Sequence, residues 1–163
     1  MNIEPGIRKA DLKAELLTLY EDYAAALDRN EMDRWMGFFT EDTFYNVISR
    51  ESYDAGLPHA TIYCDGLGML RDRIALLKEG SYFEPRTLRH FISGLRIHSA
   101  TEKAIQATAN FLVIESLFDA EPQILMVGEY VDELVPADGG YKFRKRCAVY
   151  DQYRIRTTLV VPV

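Results

Sequence analysis

The side chains in this sequence that could do chemistry are its histidines, cysteines, acids and phenols, and their spacing decides which chemistry. There are three histidines, His59, His90 and His98, and two cysteines, Cys64 and Cys147. Two of the histidines fall in one stretch, EPRTLRHFISGLRIHSA (84–100). A non-haem iron site takes two His and one carboxylate, and zinc takes three or four converging ligands. On one strand the span from His90 to His98 is ~26 Å at ~3.3 Å per residue, too far for a shared ion. His59 stands alone in a polar segment. The spacing therefore predicts no mononuclear metal site. A Rieske cluster needs paired Cys–His motifs. Cys64 is followed by Gly66 and Leu67, and Cys147 by Val149 and Tyr150, so the chain has no such motif. The string DGLGML lacks the Lys-Ser/Thr of a phosphate loop, and there is no GxSxG.

Acid–base chemistry is the remaining class. Positions 105, 107, 109, 111 and 113 are Ile, Ala, Ala, Phe and Val, one face of a strand, and Glu115 is next on that face. A carboxylate on an apolar face has the setting for a raised pKa and a general-base role. His90 lies between Leu88 and Ile92 in the same manner, and Tyr45 offers a phenol donor. Glu115, His90 and Tyr45 are thus the candidate catalytic residues of a stand-alone enzyme. The structural alternative has Glu115 paired with an arginine of a neighbouring strand and His90 bonded to backbone. RKRCAVYDQYRIR supplies four arginines for that pairing. Both readings stay open at the level of sequence.

The elements that would position these groups are legible from periodicity. Leu12, Leu16, Leu19, Tyr20, Tyr23, Ala24 and Leu27 recur at three- and four-residue steps, which predicts a helix over 11–29. A short helix is expected at 31–37, with Trp35 and Phe38 as bulky contacts, and then a strand in TEDTFYNVIS. Residues 50–63 read as a polar loop. CDGLGMLRDRIALLKEG reads as a third helix, with Asp65 as cap, Leu67, Leu70, Ile74 and Leu77 as its stripe, and Gly80 as its end. Strands follow at 87–99, 104–118, 123–135 and 141–152, with a short last one near 158–162. Strands of this length must twist and bend. In the first of them the apolar phase runs Leu88, His90, Ile92 and then slips to Leu95 and Ile97. A one-residue bulge at Ser93–Gly94 restores all five to one face. The fold class expected is α+β: three N-terminal helices packed on a long, strongly bent, mainly antiparallel sheet, curled into a half-open cone. No repeat or linker divides residues 1–163, so one domain is expected.

Bulk properties narrow the partners. The formal net charge is −6, which argues against nucleic acid. The run KFRKR (142–146) is the exception, and reads as a solvated or salt-bridged strand face. No segment approaches the ~20 apolar residues of a membrane span. The cysteines are distant and form no CxxC, which fits reduced thiols. The opening MNIEPGIRKADLKAELL has no apolar signal core. The expectation is a cytoplasmic protein.

Four strings carry a family resemblance: NEMDRWMGFFTEDTFYNV, MLRDRIALLKEG with its Arg73, EPRTLRHFISGLRI, and CAVYDQYRIRTTLVVPV with its Asp151. Together they run from about residue 14 to 163. They resemble the small (beta) subunit of the bacterial aromatic-ring-hydroxylating dioxygenases, which has the NTF2-like (cystatin-like) cone fold. Leu88 stands where that family more often has a polar residue, Gly94 where it often has Asn, and the 50–63 segment is this chain's own. The resemblance implies a structural, non-catalytic subunit of an oxidoreductase, with no cofactor or metal in this chain. The Rieske 2Fe–2S cluster and mononuclear Fe(II) would lie in a large (alpha) subunit. An alpha3beta3 hexamer with beta–beta trimer contacts, served indirectly by electron-transfer partners, is the implied assembly. Interface residues are then expected among Tyr53, Tyr63, Tyr82, Phe83, Tyr150 and Tyr153 and the arginines Arg86, Arg89, Arg154 and Arg156, types enriched at such contacts. The competing functions are a self-sufficient NTF2-like dehydratase or isomerase using Glu115, His90 and Tyr45, and an assembly module of the same fold.

Overall fold

Among the described residues seven strands form one sheet in the order β1-β4-β5-β6-β7-β2-β3, with the two longest helices laid on its inner face. The computed structural model describes residues 2–3, 8–80, 85–155 and 162–163; side chains are described for these except 2, 3, 79 and 80. In chain order the elements are β1 (Asn2–Ile3), α1 (Lys9–Asp28), α2 (Met32–Met36), β2 (Phe39–Ser49), α3 (Arg50–Asp54) and β3 (Ile62–Asp65). Then come α4 (Leu67–Gly80), β4 (Arg86–Ala100), β5 (Ile105–Leu117), β6 (Gln123–Ala137) and β7 (Gly140–Tyr150). The α+β cone is as the sequence pattern predicts. β4 to β7 pair antiparallel in succession, whereas β2 runs parallel to β7.

The stripe read for α1 is the one it buries: Leu12, Leu16, Tyr20, Tyr23, Ala24 and Leu27 are all in the core. The stripe of α4 likewise buries Leu67, Leu70 and Ile74, with Leu77 partly covered. Two readings need correction. The 50–63 segment is not all loop, because α3 begins at once after β2. The Ser49 side chain caps α3 by accepting from the Ser52 N–H at 3.2 Å. Asp65 does not cap the next helix. It is the last residue of β3, opposite Phe44, and α4 starts two residues later. A hydrophobic strand pair wins there over a local cap. The fold thus has four helices among the described residues rather than three. The strand expected near 158–162 falls largely outside them.

Bulges bend the long strands, among them one in β6 at Leu125, where Val113 faces Met126 and Ile114 faces Ile124. In β4 the register slips between Ser93 and Arg96, where Gly94 takes φ +65°. Leu88, His90, Leu95 and Ile97 all end up buried on the inner face, as the phase slip predicts. A further slip in β4 falls between Ile97 and Ser99. In β7, Glu133 faces Lys145 while Leu134 faces Phe143, so Arg144 is the extra residue. A second glycine has a packing role: a Cβ on Gly128 would lie 2.0 Å from the Val149 carbonyl oxygen. Only a residue without a side chain lets β6 and β7 meet there.

Candidate functional site

The inside of the cone holds the polar groups that matter. α1 lies across β4, and its buried stripe points Tyr20 and Tyr23 at the inner face of β6 and β7. There Asp132 and Arg146 face each other in register, both with fully buried side chains. Arg146 donates Nε–H and Nη2–H to the two Asp132 oxygens at 2.9 and 2.7 Å, and the Tyr20 hydroxyl also donates to Asp132. The guanidinium is walled by rings. Its carbon lies 3.7 Å from the Phe143 ring centre, 4.1 Å from Tyr23 and Tyr130, and 4.7 Å from Tyr20. Burial works against the Arg146 charge, but Asp132 outweighs it and the net shift is upward. A bidentate carboxylate and ring faces are the environment in which a buried guanidinium stays charged.

KFRKR reads in the sequence as a solvated or salt-bridged strand face, and Arg146 is indeed salt-bridged, but on the buried inner face rather than in solvent. The bulge at Arg144 returns the strand to inner phase two residues later, so Arg146 points inward. Arg144 itself matches the expectation, paired with Glu133 at 2.6 Å. Asp132, Tyr20, Tyr23 and Tyr130 were likewise unread as a unit. The available signal was parity: Tyr130, Asp132 and Leu134 alternate on one face, with an acid between two apolar groups.

The three candidate catalytic residues sit at separate stations. Glu115 on β5 accepts from Arg86 of β4 at 2.6 Å, so its arginine comes from a neighbouring strand but not from the C-terminal run. His90 on β4 has its Nδ1 2.7 Å from Asp28 at the end of α1, and the same carboxylate accepts the His90 main-chain N–H at 3.0 Å. Its partner is thus a side chain rather than backbone, and no local pattern singles out Asp28 for that role. Tyr45 on β2 lies beyond β5, β6 and β7 from His90 in sheet order, and its hydroxyl donates to the Val163 main-chain oxygen at 2.9 Å. Burial raises the Tyr45 phenol well above its usual range. Glu115, His90 and Tyr45 therefore have three different partners and are not drawn together.

Metal-binding residue types are dispersed in the same way. Register places Cys64 opposite Tyr45 and Cys147 opposite Asn46, so the two thiols face opposite sides of the sheet. Among the described residues no group of three or more His, Cys, Asp or Glu is placed to hold a metal ion. Their arrangement does not fit a Rieske cluster or a non-haem iron.

The outer sheet face differs in character. Phe91, Ile124 and Val127 are 56%, 58% and 41% exposed, and half-buried Leu112 and Ile114 lie between them on adjacent strands. Among the residues expected at an interface, Tyr63, Tyr153, Arg89 and Arg154 are exposed, and Tyr53 is half-buried. Tyr150 and Arg86 turn inward: Tyr150 shares a hydrogen bond with Thr61 at 3.0 Å, and Arg86 is held by Glu115. Tyr82, Phe83 and Arg156 lie outside the described residues.

Comparison with known proteins agrees with this geometry. The profile of the ring hydroxylating beta subunit family matches residues 22–157. The anthranilate 1,2-dioxygenase small subunit of Burkholderia cepacia is 32% identical, over 91% of this chain and 92% of the relative. The terephthalate 1,2-dioxygenase terminal oxygenase component subunit beta 2 of a Comamonas species is 30% identical, over 86% and 92%. A crystal structure from Novosphingobium aromaticivorans, assigned as the beta subunit of an aromatic-ring-hydroxylating dioxygenase, superposes with TM-score 0.86. It is 31% identical and covers 96% of this chain and all of that one. With a family profile that matches most of the chain and relatives matched along nearly their whole length, the chain belongs to the ring hydroxylating beta subunit family.

Proposed function

We propose that this chain is the non-catalytic structural subunit of an aromatic-ring-hydroxylating dioxygenase, and that it supports the large subunit that performs the chemistry. The observation that carries the reading is the family match over residues 22–157, joined to the separate engagement of Glu115, His90 and Tyr45. On this reading the cone carries no catalytic site, and the whole of residues 1–163 serves as one assembly domain. The Rieske 2Fe–2S cluster and the mononuclear iron belong to the large subunit, and the complex is an alpha3beta3 hexamer working in the cytoplasm. No helix among the described residues is long and apolar enough to cross a membrane. The exposed apolar side chains on the outer face of β4, β5 and β6 support a multisubunit assembly, since a contiguous apolar patch of this kind marks a protein contact.

The test is co-expression with a large subunit of a ring-hydroxylating dioxygenase from the same source, followed by mass and iron analysis. A complex of equal subunit numbers, with iron that stays with the large subunit on dissociation, is the expected result. Iron retained by this chain alone, or turnover of an aromatic substrate by it unaided, would overturn the reading.

A further inference from the structure

The outer face of the sheet is treated differently on its two halves. Over β2 and β7 this chain covers it: Ile48, Cys147 and Val149 are buried there, with Tyr53 and Ala60 packed on them. Over β4, β5 and β6 no such cover is present among the described residues, and Phe91, Ile124 and Val127 stay exposed. The row Phe91–Leu112–Val127 runs in register across these three strands, and the next row on the same face is Ser93–Asn110–Glu129.

Beside that apolar band lies a hollow of about 430 Å³, lined by Gly94, Arg96, His98, Thr108, Asn110 and Glu129. The two register slips of β4, between Ser93 and Arg96 and between Ile97 and Ser99, bracket Arg96. Bulges of this kind re-aim side chains. Arg96 is exposed, and it stands apart from the other arginines on the strands. Arg86, Arg89, Arg144 and Arg146 reach Glu115, Asp28, Glu133 and Asp132, whereas Arg96 pairs with no carboxylate among the described residues. Glu129 lines the same hollow, but its carboxylate lies 3.9 Å from Arg50 instead. His98 has its Nε2 3.0 Å from the Thr108 hydroxyl. In a chain of net charge −6, an arginine left unpaired beside an open apolar band is half of an ion pair. The guanidinium fork matches a carboxylate in shape as well as in charge.

We infer that the outer face of β4–β6 receives an apolar segment of the large subunit that carries a carboxylate, and that Arg96 binds that carboxylate and fixes the segment's position. The inference rests on the subunit role proposed above, and adds to it the chemistry of the partner and the residue that recognises it. The band supplies apolar area and the hollow supplies selectivity, as apolar cores and charged anchors do at other protein interfaces.

The affinity of this chain for the large subunit is measured by titration for Arg96→Ala, for Arg96→Lys and for Lys103→Glu, an exposed control outside the hollow. Arg96→Ala should weaken the complex about thirtyfold, the loss that follows truncation of one partner of a desolvated charge pair. It should also remove most of the salt dependence of binding. Arg96→Lys should recover part of the affinity, and Lys103→Glu should bind as the wild type does. The thermal midpoints of the isolated variants should stay close to the wild type, because both positions are exposed. Should Arg96→Ala lose stability, Arg96→Gln, which keeps the side-chain length without the charge, takes its place in the comparison. A folded, uncharged variant that binds like the wild type would overturn the inference and leave the subunit role standing. A wild-type chain that forms no complex with the large subunit would overturn the subunit role, and this inference with it. Self-association of the isolated chain that is lost in Arg96→Ala, with large-subunit binding unchanged, would assign the face to a second copy and overturn the inference as well.

Discussion

Asp132 and Arg146 sit opposite each other on β6 and β7, joined by two hydrogen bonds and wholly out of solvent. A pair of this kind need not add net stability over an apolar pair, because both charges had to leave water. Breaking it is another matter. Asp132→Asn strands a buried guanidinium and should cost about 3–5 kcal/mol in urea unfolding. The double change Asp132→Leu with Arg146→Met should recover most of that loss. A single substitution no worse than the double would show that the pair is not coupled.

The glycines at the sheet's tight points should respond in a fixed order. Gly94→Ala puts a side chain at φ +65° beside the Asn110 amide, for about 1–2 kcal/mol. Gly128→Ala drives a Cβ onto the backbone oxygen of Val149, which cannot swing aside, and should cost about 3 kcal/mol or more. Thermal unfolding of the two variants side by side tests the order.

Alkaline stability follows from the buried phenols. Burial, the leading cause, raises Tyr20, Tyr23, Tyr45 and Tyr130. An unfolded tyrosine ionises near its ordinary value of 10.0, below its folded value. Their contribution is thus complete below pH 10 and is lost above it, at up to about 1.4 kcal/mol per phenol per pH unit. The absorbance change of these four phenols should coincide with loss of circular dichroism above pH 10. Full ionisation of all tyrosines in a still-folded chain would contradict this.

Thiol reactivity should report folding. Burial pushes the Cys147 thiol up to about 11 and raises Cys64 as well. At pH 8 neither should react appreciably with a disulfide reagent in the native chain, and both should react at once in denaturant.

Assembly should depend on the outer face. Phe91→Asp or Val127→Asp places a charge on the exposed apolar band of β4–β6. Each should leave the thermal midpoint of the isolated chain nearly unchanged. Each should also shift the complex with the large subunit toward smaller species in size-exclusion chromatography.

Much of this architecture was readable because its signals are local. The stripe on α1 and the Gly94 phase slip each lie within a few residues. What escaped depends on distant partners. Arg146 reads as one more cation in KFRKR until the bulge at Arg144 turns it inward to Asp132. Asp28 reads as the polar end of a helix until β4 brings His90 beside it. The start of α4 was misplaced because Asp65 has cap chemistry, and only the pairing with Phe44 shows that it finishes a strand.

The parallel pairing of β2 with β7 has a consequence for how the chain is made. Thr43 finds its partner strand at Phe143, a hundred residues downstream. As the polypeptide leaves the ribosome, β2 must wait with its β7-facing edge unsatisfied until β7 has emerged. Contacts this far apart slow folding, and a waiting edge invites wrong pairing with other chains. The nascent chain is therefore most vulnerable to aggregation in the interval just before β7 emerges to pair with β2.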